Sequence, residues 1–458
     1  MAMGRRERQQ QQTLWVATDQ IRSSGHVFYD KFNAVLDAHG FDDFVEEQCQ
    51  PFYAEKMGRP SLEPGVYFRM LFVGYFEGID SERGIAWRCN DSLSLRGFLG
   101  CGQDENPPDH STVSRTRRLL DVETHAKVFT FALKVLGENG LIDGKTVGVD
   151  ASTQEANAAM RSIVRRDTGE SYEQYLEGLA KESGIETPTR EDLAKLDKKR
   201  KNKASNKDWE HPHDPDARVT KMKDGRTHLA HKVEHAIDLE GEGAVLSVNL
   251  YGADQGDTST LVDTIVSTTE QLRELADDPN TADKLHDDWM SEVVADKGYH
   301  SNDMMVTMEE MEVRSYTSEP DRGKRNWEGK QAERDAVYRN RRRIRGNRGK
   351  RLLKKRGEFV ERPFNHYLDD GRMRRTHLRR QENIAKRLLV HVAGFNLGIL
   401  MRRWLGAGTP KGLAALRAAV FGLPATLWRL LTAVFASFKI WSPFRAVSSP
   451  TSTPKLAA

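Results

Sequence analysis

The sequence predicts a mixed α/β protein with a helical amino-terminal region, and three observations indicate this class. Residues 13–140 consist mainly of capped, apolar segments of helical length. Short β-branched runs begin only at about residue 145. From there the predicted order is strand, insertion, hairpin, helix, strand, helix, strand and basic helix. Such an order forms a mixed sheet that is flanked by helices.

The amino-terminal region contains three predicted helices. Residues 61–76 begin with a serine and an early proline and are apolar on all sides, so we expect a buried helix capped by Ser61. Residues 81–88 predict a short second helix. The run Asn-Pro-Pro-Asp at 106–109 breaks the chain, and the third helix follows it.

The third helix begins at Asp109 or Ser111, either of which suits an N-cap, and it carries Arg115, Arg117 and Arg118. A short helix, a glycine-containing turn and an arginine-bearing helix resemble a helix-turn-helix, whose second helix enters the DNA major groove. The pattern indicates these three arginines as candidate DNA contacts. The alternative is that they form only the solvated face of a helix.

The strands are predicted by five segments rich in β-branched residues, namely 145–150, 227–239, 244–250, 291–296 and 313–317. The first segment ends at Asp150 and the fourth ends at Asp296. The run Glu-Gly-Glu-Gly between the second and third segments predicts a hairpin. Helices are expected to begin at Asp257 and Asn302.

Three domains are predicted: a helical DNA-binding domain at 1–140, a catalytic α/β domain at 141–403, and an apolar helix with a disordered tail at 404–458. Residues 158–224 are highly charged and poor in large apolar side chains. They predict an insertion that is part helical, part flexible and without a core of its own. Apolar residues at helical spacing in 378–401 predict one packing stripe.

The charges are segregated along the chain. The whole chain has a formal charge of +3, but residues 321–403 contain 26 Lys or Arg and only 9 Asp or Glu, a local charge of +17. The remaining residues therefore sum to −14. A block this basic favours a polyanionic partner, and nucleic acid is the leading candidate. A basic surface without a partner is the alternative.

Several classes of protein are not expected. The first 12 residues are polar, so no secretory signal is indicated. The most apolar run, 418–428, has 11 residues and contains a proline, whereas a membrane-spanning helix needs about 20. The 3 cysteines lack metal-site spacing, which argues against a disulfide framework or a zinc ribbon. A cytoplasmic protein is expected.

Three carboxylates stand out as candidates for chemistry: Asp150, Asp296 and Glu361, the last within the basic run RGEFVERPF. Ligands collect at the carboxyl ends of strands in open α/β sheets. Two carboxylates about 4 Å apart repel by about 4 kcal/mol at an effective dielectric of 20. Shared protons, an arginine or a divalent cation must offset this repulsion, and hard oxygen ligands favour Mg²⁺. The alternative is that these side chains only form turns or cap helices.

A family resemblance is carried by several separate segments: VGVDAS at Asp150, ADKGYHS at Asp296, GEFVERPFNH at Glu361, MRRTHLRRQENIAKRLLVHVAGFNL, and HPHDPDARVTKMKDGRTHLAHKVEHAID. These segments resemble the DDE transposases of bacterial insertion sequences over most of residues 25–403. The resemblance implies a ribonuclease-H-like mixed sheet flanked by helices. It also implies an amino-terminal helical region that helps to bind terminal inverted repeats. Asp150, Asp296 and Glu361 would hold two Mg²⁺ ions, which Mn²⁺ can replace.

The sequence departs from the family around Glu361. Many relatives have a tyrosine seven residues before the glutamate, an arginine four before it and a lysine seven after it. Here those positions are Lys354, Gly357 and Leu368. Arg356 or Arg362 is expected to replace the missing arginine as a phosphate contact. Glu358 is the competing glutamate, one helical turn earlier.

The remaining candidates are aromatic. His228, His231 and His235 resemble a metal cluster, but on a strand His228 points to the opposite face, so sheet packing or phosphate contact is expected. His300 is a candidate for positioning water or phosphate. Trp209 and Trp327 are expected to stack on an unpaired base or to cap local clusters.

The function that these observations predict is cut-and-paste DNA transposition. Cleavage at the ends of an element and strand transfer into target DNA are both phosphoryl transfers, so one carboxylate–metal site serves each step. A homodimer on double-stranded DNA is expected, because two DNA ends must be joined. The alternatives are a nuclease of the same fold without strand transfer and an inactive DNA-binding repressor of its own element.

Overall fold

The computed structural model of the chain describes residues 25–54, 61–102, 105–200, 204–222, 225–323 and 325–421. The expected tail beyond residue 421, the first twelve residues and part of the basic run at 197–207 lie outside these ranges.

The amino-terminal region is helical, as predicted. Its helices are α1 (Val27–Ala38), α2 (Phe41–Cys49), α3 (Pro64–Glu77), α4 (Glu82–Asp91), α5 (Leu93–Phe98), α6 (His110–Leu119) and α7 (Val122–Glu138). Glu63 rather than Ser61 is the N-cap residue of α3, because Pro64 already occupies the first turn. Asp109 caps α6, since its side chain accepts a hydrogen bond from the Thr112 amide at 2.7 Å.

Eight strands follow: β1 (Thr146–Glu155), β2 (Val164–Arg165), β3 (Trp209–Glu210), β4 (Arg218–Lys221), β5 (Thr227–Asp238), β6 (Val245–Gly252), β7 (Glu292–Ala295) and β8 (Arg314–Thr317) in the described part of the chain. The later helices are α8 (Tyr172–Glu182), α9 (Arg190–Lys199), α10 (Asp257–Asp277), α11 (Asn302–Glu310), α12 (Gln331–Arg345), α13 (Asn347–Phe359), α14 (Glu361–Phe364), α15 (Gln381–Leu405) and α16 (Pro410–Phe421).

The main sheet is mixed. Its central strand β1 pairs antiparallel with β5 on one side and parallel with β7 on the other, and β8 extends the parallel side. The long strand β5 pairs with β4 near its start and with β6 over the rest, and β5 and β6 form the predicted hairpin. Helix α10 packs against β5 and β6, and α13 packs against β7 and β8. The chain is therefore an α/β protein with a mixed sheet flanked by helices.

The predicted end of β1 at Asp150 is wrong. The strand continues to Glu155, because its antiparallel pairing with β5 extends from Val147 to Glu155. Its parallel pairing with β7 ends earlier, at Gly148. Asp150 therefore lies within β1, at the level where β7 has just left the sheet.

The insertion between β1 and β5 is more ordered than expected. Two small hydrophobic clusters stabilise it, which contradicts the expectation that it lacks a core. One surrounds Trp209, with Ile163 and Leu229, and the other joins α8 to α9 through Leu176 and Leu193. Apolar residues scattered through a charged sequence come together only after the chain has folded back on itself.

Helix α15 lies at the centre of the molecule, and one large hydrophobic core connects it to the amino-terminal helices and the sheet. Almost every side chain from Ile384 to Met401 is buried, so the predicted single stripe is too narrow. The described chain contains one helical stretch, Gln381–Ala419, that is long and apolar enough to cross a membrane. Inside the fold, 94% of its most apolar window is buried, so that stretch is weak evidence for a membrane span.

Candidate active site

Two of the predicted carboxylates follow the last residue pair of the parallel strands β1 and β7. In the parallel pair of β1 and β7, Thr146 lies opposite Glu292 and Gly148 lies opposite Val294. Asp150 and Asp296 each lie two residues beyond the last of these pairs, and the negative charge of Asp296 raises the pKa of Asp150. Adjacent strands lie about 4.8 Å apart. The two aspartates, 146 positions apart in the sequence, are therefore neighbours at one edge of the parallel strands.

Asp150 has a positive partner and two negative neighbours. The guanidinium of Arg356 lies 3.1 Å from a carboxylate oxygen of Asp150 and also donates to the Val149 carbonyl. Burial raises the pKa of the Asp150 carboxyl, and the negative charges of Asp296 and Glu361 raise it further. Arg356 and the Ala151 amide oppose this increase in the pKa. All three predicted carboxylates are therefore within electrostatic reach of one another.

Glu361 is held beside β1 by the residue that precedes it. The Val360 side chain packs over Gly148, where an added Cβ would lie 3.0 Å from a Val360 methyl. The Val360 carbonyl accepts a hydrogen bond from Nε2 of His235 at 3.1 Å. His235 lies directly opposite Asp150 in the β1–β5 pair, so their side chains share one face of the sheet. Glu361 begins α14 at this point and is exposed.

His235 also fixes the chain that follows Glu361. Its ring stacks on Phe364 with a centroid distance of 3.8 Å, and its Nδ1 accepts a hydrogen bond from the Tyr367 hydroxyl at 3.0 Å. Burial lowers the pKa of His235 to about 3, so the imidazole is neutral and each ring nitrogen has one role. Tyr367 lies in a π-helical turn, Asn365–Asp370. We refer to His235 and Tyr367 as the histidine clamp.

Asp296 is anchored from the opposite side. It begins a short turn, Lys297–Tyr299, and accepts a hydrogen bond from the Lys297 amide at 2.7 Å. The hydroxyl of Tyr299 donates to Glu234 at 3.0 Å. Glu234 is completely buried and also accepts hydrogen bonds from Thr260 and Thr264, while Lys232 neutralises its charge. The turn after Asp296 is thus fastened to β5 and α10.

The donor chemistry of the three carboxylates suits a hard divalent cation, because all of their ligand atoms are oxygens. In the described part of the chain, however, no group of three or more His, Cys, Asp or Glu side chains is arranged to hold one ion. The Asp150 carboxylate is turned towards Arg356 instead. The carboxylates are neighbours, but in this arrangement they do not surround one position that a metal ion could occupy.

The competing glutamate, Glu358, is not part of this group. It lies on α13, is exposed, and its nearest charged partner is Lys354 at 3.9 Å. Its charge is not among the causes that shift the pKa of Asp150. The geometry therefore favours Glu361. Arg362, the other basic candidate, is exposed and its guanidinium lies over the Phe359 ring.

The three arginines of α6 differ in their environment. Arg115 and Arg118 are exposed, and both fold back onto the preceding turn of the helix. Arg117 is only 7% exposed and forms an ion pair with Glu82 at 2.7 Å, besides a hydrogen bond to Asn383. Its charge is satisfied inside the protein, so Arg117 is a structural residue rather than a candidate DNA contact. In addition, α5 occupies most of the expected glycine-containing turn.

The histidine and tryptophan candidates are mostly interior. His300 is completely buried, and neither of its ring nitrogens has a partner among the described residues. His231 is also buried and lies 3.6 Å from Asp214.

Trp209 is buried against Tyr172 and Tyr175, as expected for a residue that caps a local cluster. Trp327 is half-buried beside Tyr338.

Sequence reasoning missed the residues that support the carboxylates. His235 was interpreted as a packing or phosphate-contact residue, and Tyr299 and Tyr367 were not singled out. The sequence carries one weak signal, because Tyr299 and Tyr367 lie within six residues of Asp296 and Glu361. Nothing local indicates that Glu234 and His235 are their partners.

Comparison with known proteins gives one match. Residues 16–119 match the family described as "Transposase domain (DUF772)", which is less than a quarter of the chain. The matched range contains α1 to α6 but none of the three carboxylates. No curated protein and no solved structure matches the chain. The match supports a transposase, and hence an enzyme that acts on DNA.

Proposed function

We propose that this protein is a DDE transposase, which cuts DNA at the ends of an insertion sequence and joins them to target DNA. The observation that carries the proposal is the position of Asp150 and Asp296, each two residues beyond the last pair of the parallel strands β1 and β7 and close enough for one charge to shift the pKa of the other. The packing of Val360 over Gly148 adds Glu361 to the same edge of the sheet. The mixed sheet flanked by helices is compatible with the proposed ribonuclease-H-like assignment, and the transposase-domain match supports a transposase in general.

The proposed site residues are Asp150, Asp296 and Glu361, which would hold two Mg²⁺ or Mn²⁺ ions. Such ions activate the attacking oxygen and stabilise the leaving oxygen in phosphodiester cleavage. The chain's own residues position the carboxylates: the histidine clamp fixes Glu361, and Tyr299 fixes the turn at Asp296. Arg356 neutralises Asp150 and is the proposed replacement for the family's phosphate-binding arginine.

The proposed DNA contacts are Arg115 and Arg118 on α6 for the terminal inverted repeats, and Arg356 and Arg362 at the site. Arg115, Arg118 and Arg362 are exposed and therefore accessible to a phosphate backbone, whereas Arg356 is paired with Asp150. Two ends must be cut and joined together, so a homodimer on double-stranded DNA is part of the proposal. The protein would then act in the cytoplasm, bound to the nucleoid.

The first experiment tests the three carboxylates. Asp150→Asn, Asp296→Asn and Glu361→Gln are each expected to lower Mg²⁺-dependent cleavage by about 10³-fold or more, because each removes a ligand charge. The substrate is a labelled duplex that carries the inverted repeats flanking the coding sequence. Binding of that duplex, measured by gel shift, should change by less than about twofold, since these residues read no sequence.

Glu358→Gln is the matched control for Glu361→Gln. It removes the same charge one helical turn earlier, from a side chain that is exposed and paired only with Lys354. Cleavage by this variant should remain close to that of the unchanged protein. If all three site variants still cut, or if Glu358→Gln is the variant that fails to cut, the catalytic assignment is wrong.

A second experiment separates a transposase from a nuclease of the same fold. Duplexes that already end in a free 3′-hydroxyl at the repeat are incubated with a supercoiled target plasmid and Mg²⁺. Joined products are expected, because strand transfer uses the same carboxylates as cleavage. Cleavage of intact ends without any joined product would favour the nuclease. Binding without either reaction would favour the repressor.

A further inference from the structure

A short basic segment connects the site to the amino-terminal helices. Residues 372–380, which we call the arginine segment, have the sequence RMRRTHLRR, with five arginines, one histidine and no acidic residue. The segment follows the π-helical turn Asn365–Asp370 and ends where α15 begins. It is irregular rather than helical.

The backbone of the arginine segment is fastened to the last part of β1. The Glu155 amide donates to the Arg374 carbonyl at 2.9 Å, and the Thr376 amide donates to the Glu155 carbonyl at 3.1 Å. The side chain of Gln154 donates to the Met373 carbonyl at 2.7 Å. The segment therefore has a fixed course beside the strand that carries Asp150.

One arginine of the segment points towards the candidate site. Arg374 donates to the Ser152 hydroxyl at 2.7 Å and is also paired with Asp369. Ser152 follows Asp150 by two residues, so their side chains lie on the same face of the sheet, about 7 Å apart along the strand. The arginine segment thus begins within one side-chain length of the carboxylates.

The other arginines of the segment point outwards. Arg372, Arg375, Arg379 and Arg380 are all exposed. The side chain of Arg375 is 69% exposed, and its nearest carboxylate, that of Glu155, is 3.6 Å away. Arg379 makes one long hydrogen bond, of 3.4 Å, to the Asn157 carbonyl. These charges are only weakly neutralised by the protein, unlike that of Arg117.

The far end of the segment reaches α6. Asn383, in the first turn of α15, donates to the Arg379 carbonyl at 3.0 Å and accepts a hydrogen bond from Arg117. Lys386 donates to the Arg117 carbonyl at 3.3 Å. The exposed Arg115 and Arg118 therefore lie on the helix against which this end is fastened. From Arg374 to Arg380 an extended chain spans at most about 20 Å, or roughly six phosphates of one DNA strand.

We propose that the arginine segment binds the phosphate backbone of the terminal DNA between the α6 contact and the cleavage site. This inference rests on the proposed function, and it assigns Arg375 and Arg379 as phosphate contacts. The segment then guides one strand from the helix that holds the repeat to Asp150. Phosphate contacts of this kind fix the register of DNA on a protein without reading its sequence.

The test is the double variant Arg375→Gln with Arg379→Gln in the full chain, bound to the duplex that carries the terminal repeat. Loss of two phosphate contacts should make the slope of log affinity against log salt concentration less negative by about 1.8. Near 0.15 M salt the affinity should therefore fall by roughly 30-fold. Cleavage at saturating protein should be retained at a displaced position or at reduced rate, because the carboxylates are unchanged.

The matched control is Arg342→Gln with Arg345→Gln on α12. Both side chains are exposed, and neither has an ion-pair partner among the described residues. The neighbouring α13 contacts the opposite end of the sheet at this point, through Arg348 and Glu292. The net charge changes equally in both double variants. Affinity and salt slope of the control should stay within about twofold of the unchanged protein.

Equal weakening by the two double variants would mean that only net charge matters, which overturns the proposal. Binding by Arg375→Gln with Arg379→Gln that equals that of the unchanged protein also overturns it, while cleavage by the unchanged protein leaves the proposed function standing. If the unchanged chain neither binds nor cuts the repeat, the proposed function and this inference both fail. Equal thermal midpoints of the variants exclude misfolding as the cause.

Discussion

Single residues account for the geometry of the candidate site. Asp150 lies between a cation, Arg356, and two acidic neighbours, and burial raises its pKa. A carboxylate in this position needs positive charge to remain ionised, and Arg356 supplies it when no other cation is bound. His235 has a different task. It connects the strand opposite Asp150 to the chain on both sides of Glu361, through a neutral ring with one donor and one acceptor.

The hydrogen bond of the histidine clamp is expected to contribute to both stability and the rate of cleavage. Tyr367→Phe removes only the hydroxyl that donates to His235, which should cost about 1 kcal/mol of stability. Because the π-helical turn after Glu361 is then less firmly held, the rate of cleavage at saturating DNA should fall by about tenfold, with the DNA affinity unchanged. Single-turnover cleavage and gel shift measure the two quantities separately.

Tyr67→Phe is the matched control for this prediction. It removes the same kind of bond, since the buried Tyr67 hydroxyl donates to the buried His125 at 3.0 Å, between α3 and α7. A similar loss of stability is expected, with cleavage unchanged. If both variants slow cleavage equally, the clamp acts only through stability and His235 is not a positioning residue.

Among the secondary-structure elements, the insertion supplies the amino-terminal cap of the central helix α15. The first backbone amides of a helix have no partner within it. At the start of α15 the Arg380 amide donates to Asp214 at 2.9 Å, and the Gln381 amide donates to Asp216 at 3.0 Å. The cap of α15 is therefore supplied from more than 160 residues earlier in the chain. These aspartates are capping residues of α15, a role that the sequence did not indicate.

Asp216→Ala is expected to destabilise the protein by about 1 kcal/mol, the usual effect of removing a helix cap. The decrease should appear as a lower midpoint of thermal or urea unfolding. Asp283→Ala, at an exposed aspartate in the 3₁₀ turn Ala282–Lys284, is the control and should change stability by less than about 0.5 kcal/mol. Equal effects of the two variants would contradict the capping role.

One large core joins the amino-terminal helices, the main sheet and α15, beside the two small clusters of the insertion. The hydrophobic cluster that contains Phe28, Phe72 and Val128 of the amino-terminal helices also contains Val147 of β1 and Leu388 of α15. Helix α7 packs against α15, so the predicted boundary at residues 140 and 141 does not separate two cores. The fold also reduces the segregation of charge, because several cations of α12 and α13 pair with carboxylates from elsewhere in the chain, as Arg339 does with Glu309 and Arg348 with Glu292. The exposed arginines of the arginine segment keep more of their charge on the surface.

A fragment of residues 1–140 is therefore not expected to fold cooperatively. Without α15, α3 and α7 keep their contacts with α2 but lose the central helix against which both pack, so much of their apolar surface remains exposed to water. Circular dichroism of the fragment should show a broad, non-cooperative thermal change, whereas the full chain should show a sigmoidal transition. A sharp transition in the fragment would restore the independent amino-terminal domain.

Much of the fold is predictable from local sequence. The hairpin of β5 and β6, the helices that begin at Asp257 and Asn302, and the strand before Asp296 all follow from local alternation and capping residues. The end of β1 was misplaced, because the sequence around Asp150 carries no sign of the partner that keeps the strand extended. The two small clusters of the insertion were missed for the same reason.

The sequence by itself determined the element order, the segregation of charge, and the candidate carboxylates together with the resemblance that selects them. Only the tertiary structure decided that Arg356 faces Asp150, that Arg117 is buried, and that His235 and Tyr299 hold the chain around Glu361 and Asp296. The physical reason is the sequence separation of the interacting residues. Helices and strands follow from interactions among residues a few positions apart, whereas these contacts join residues that are distant in sequence and depend on strand register and helix packing.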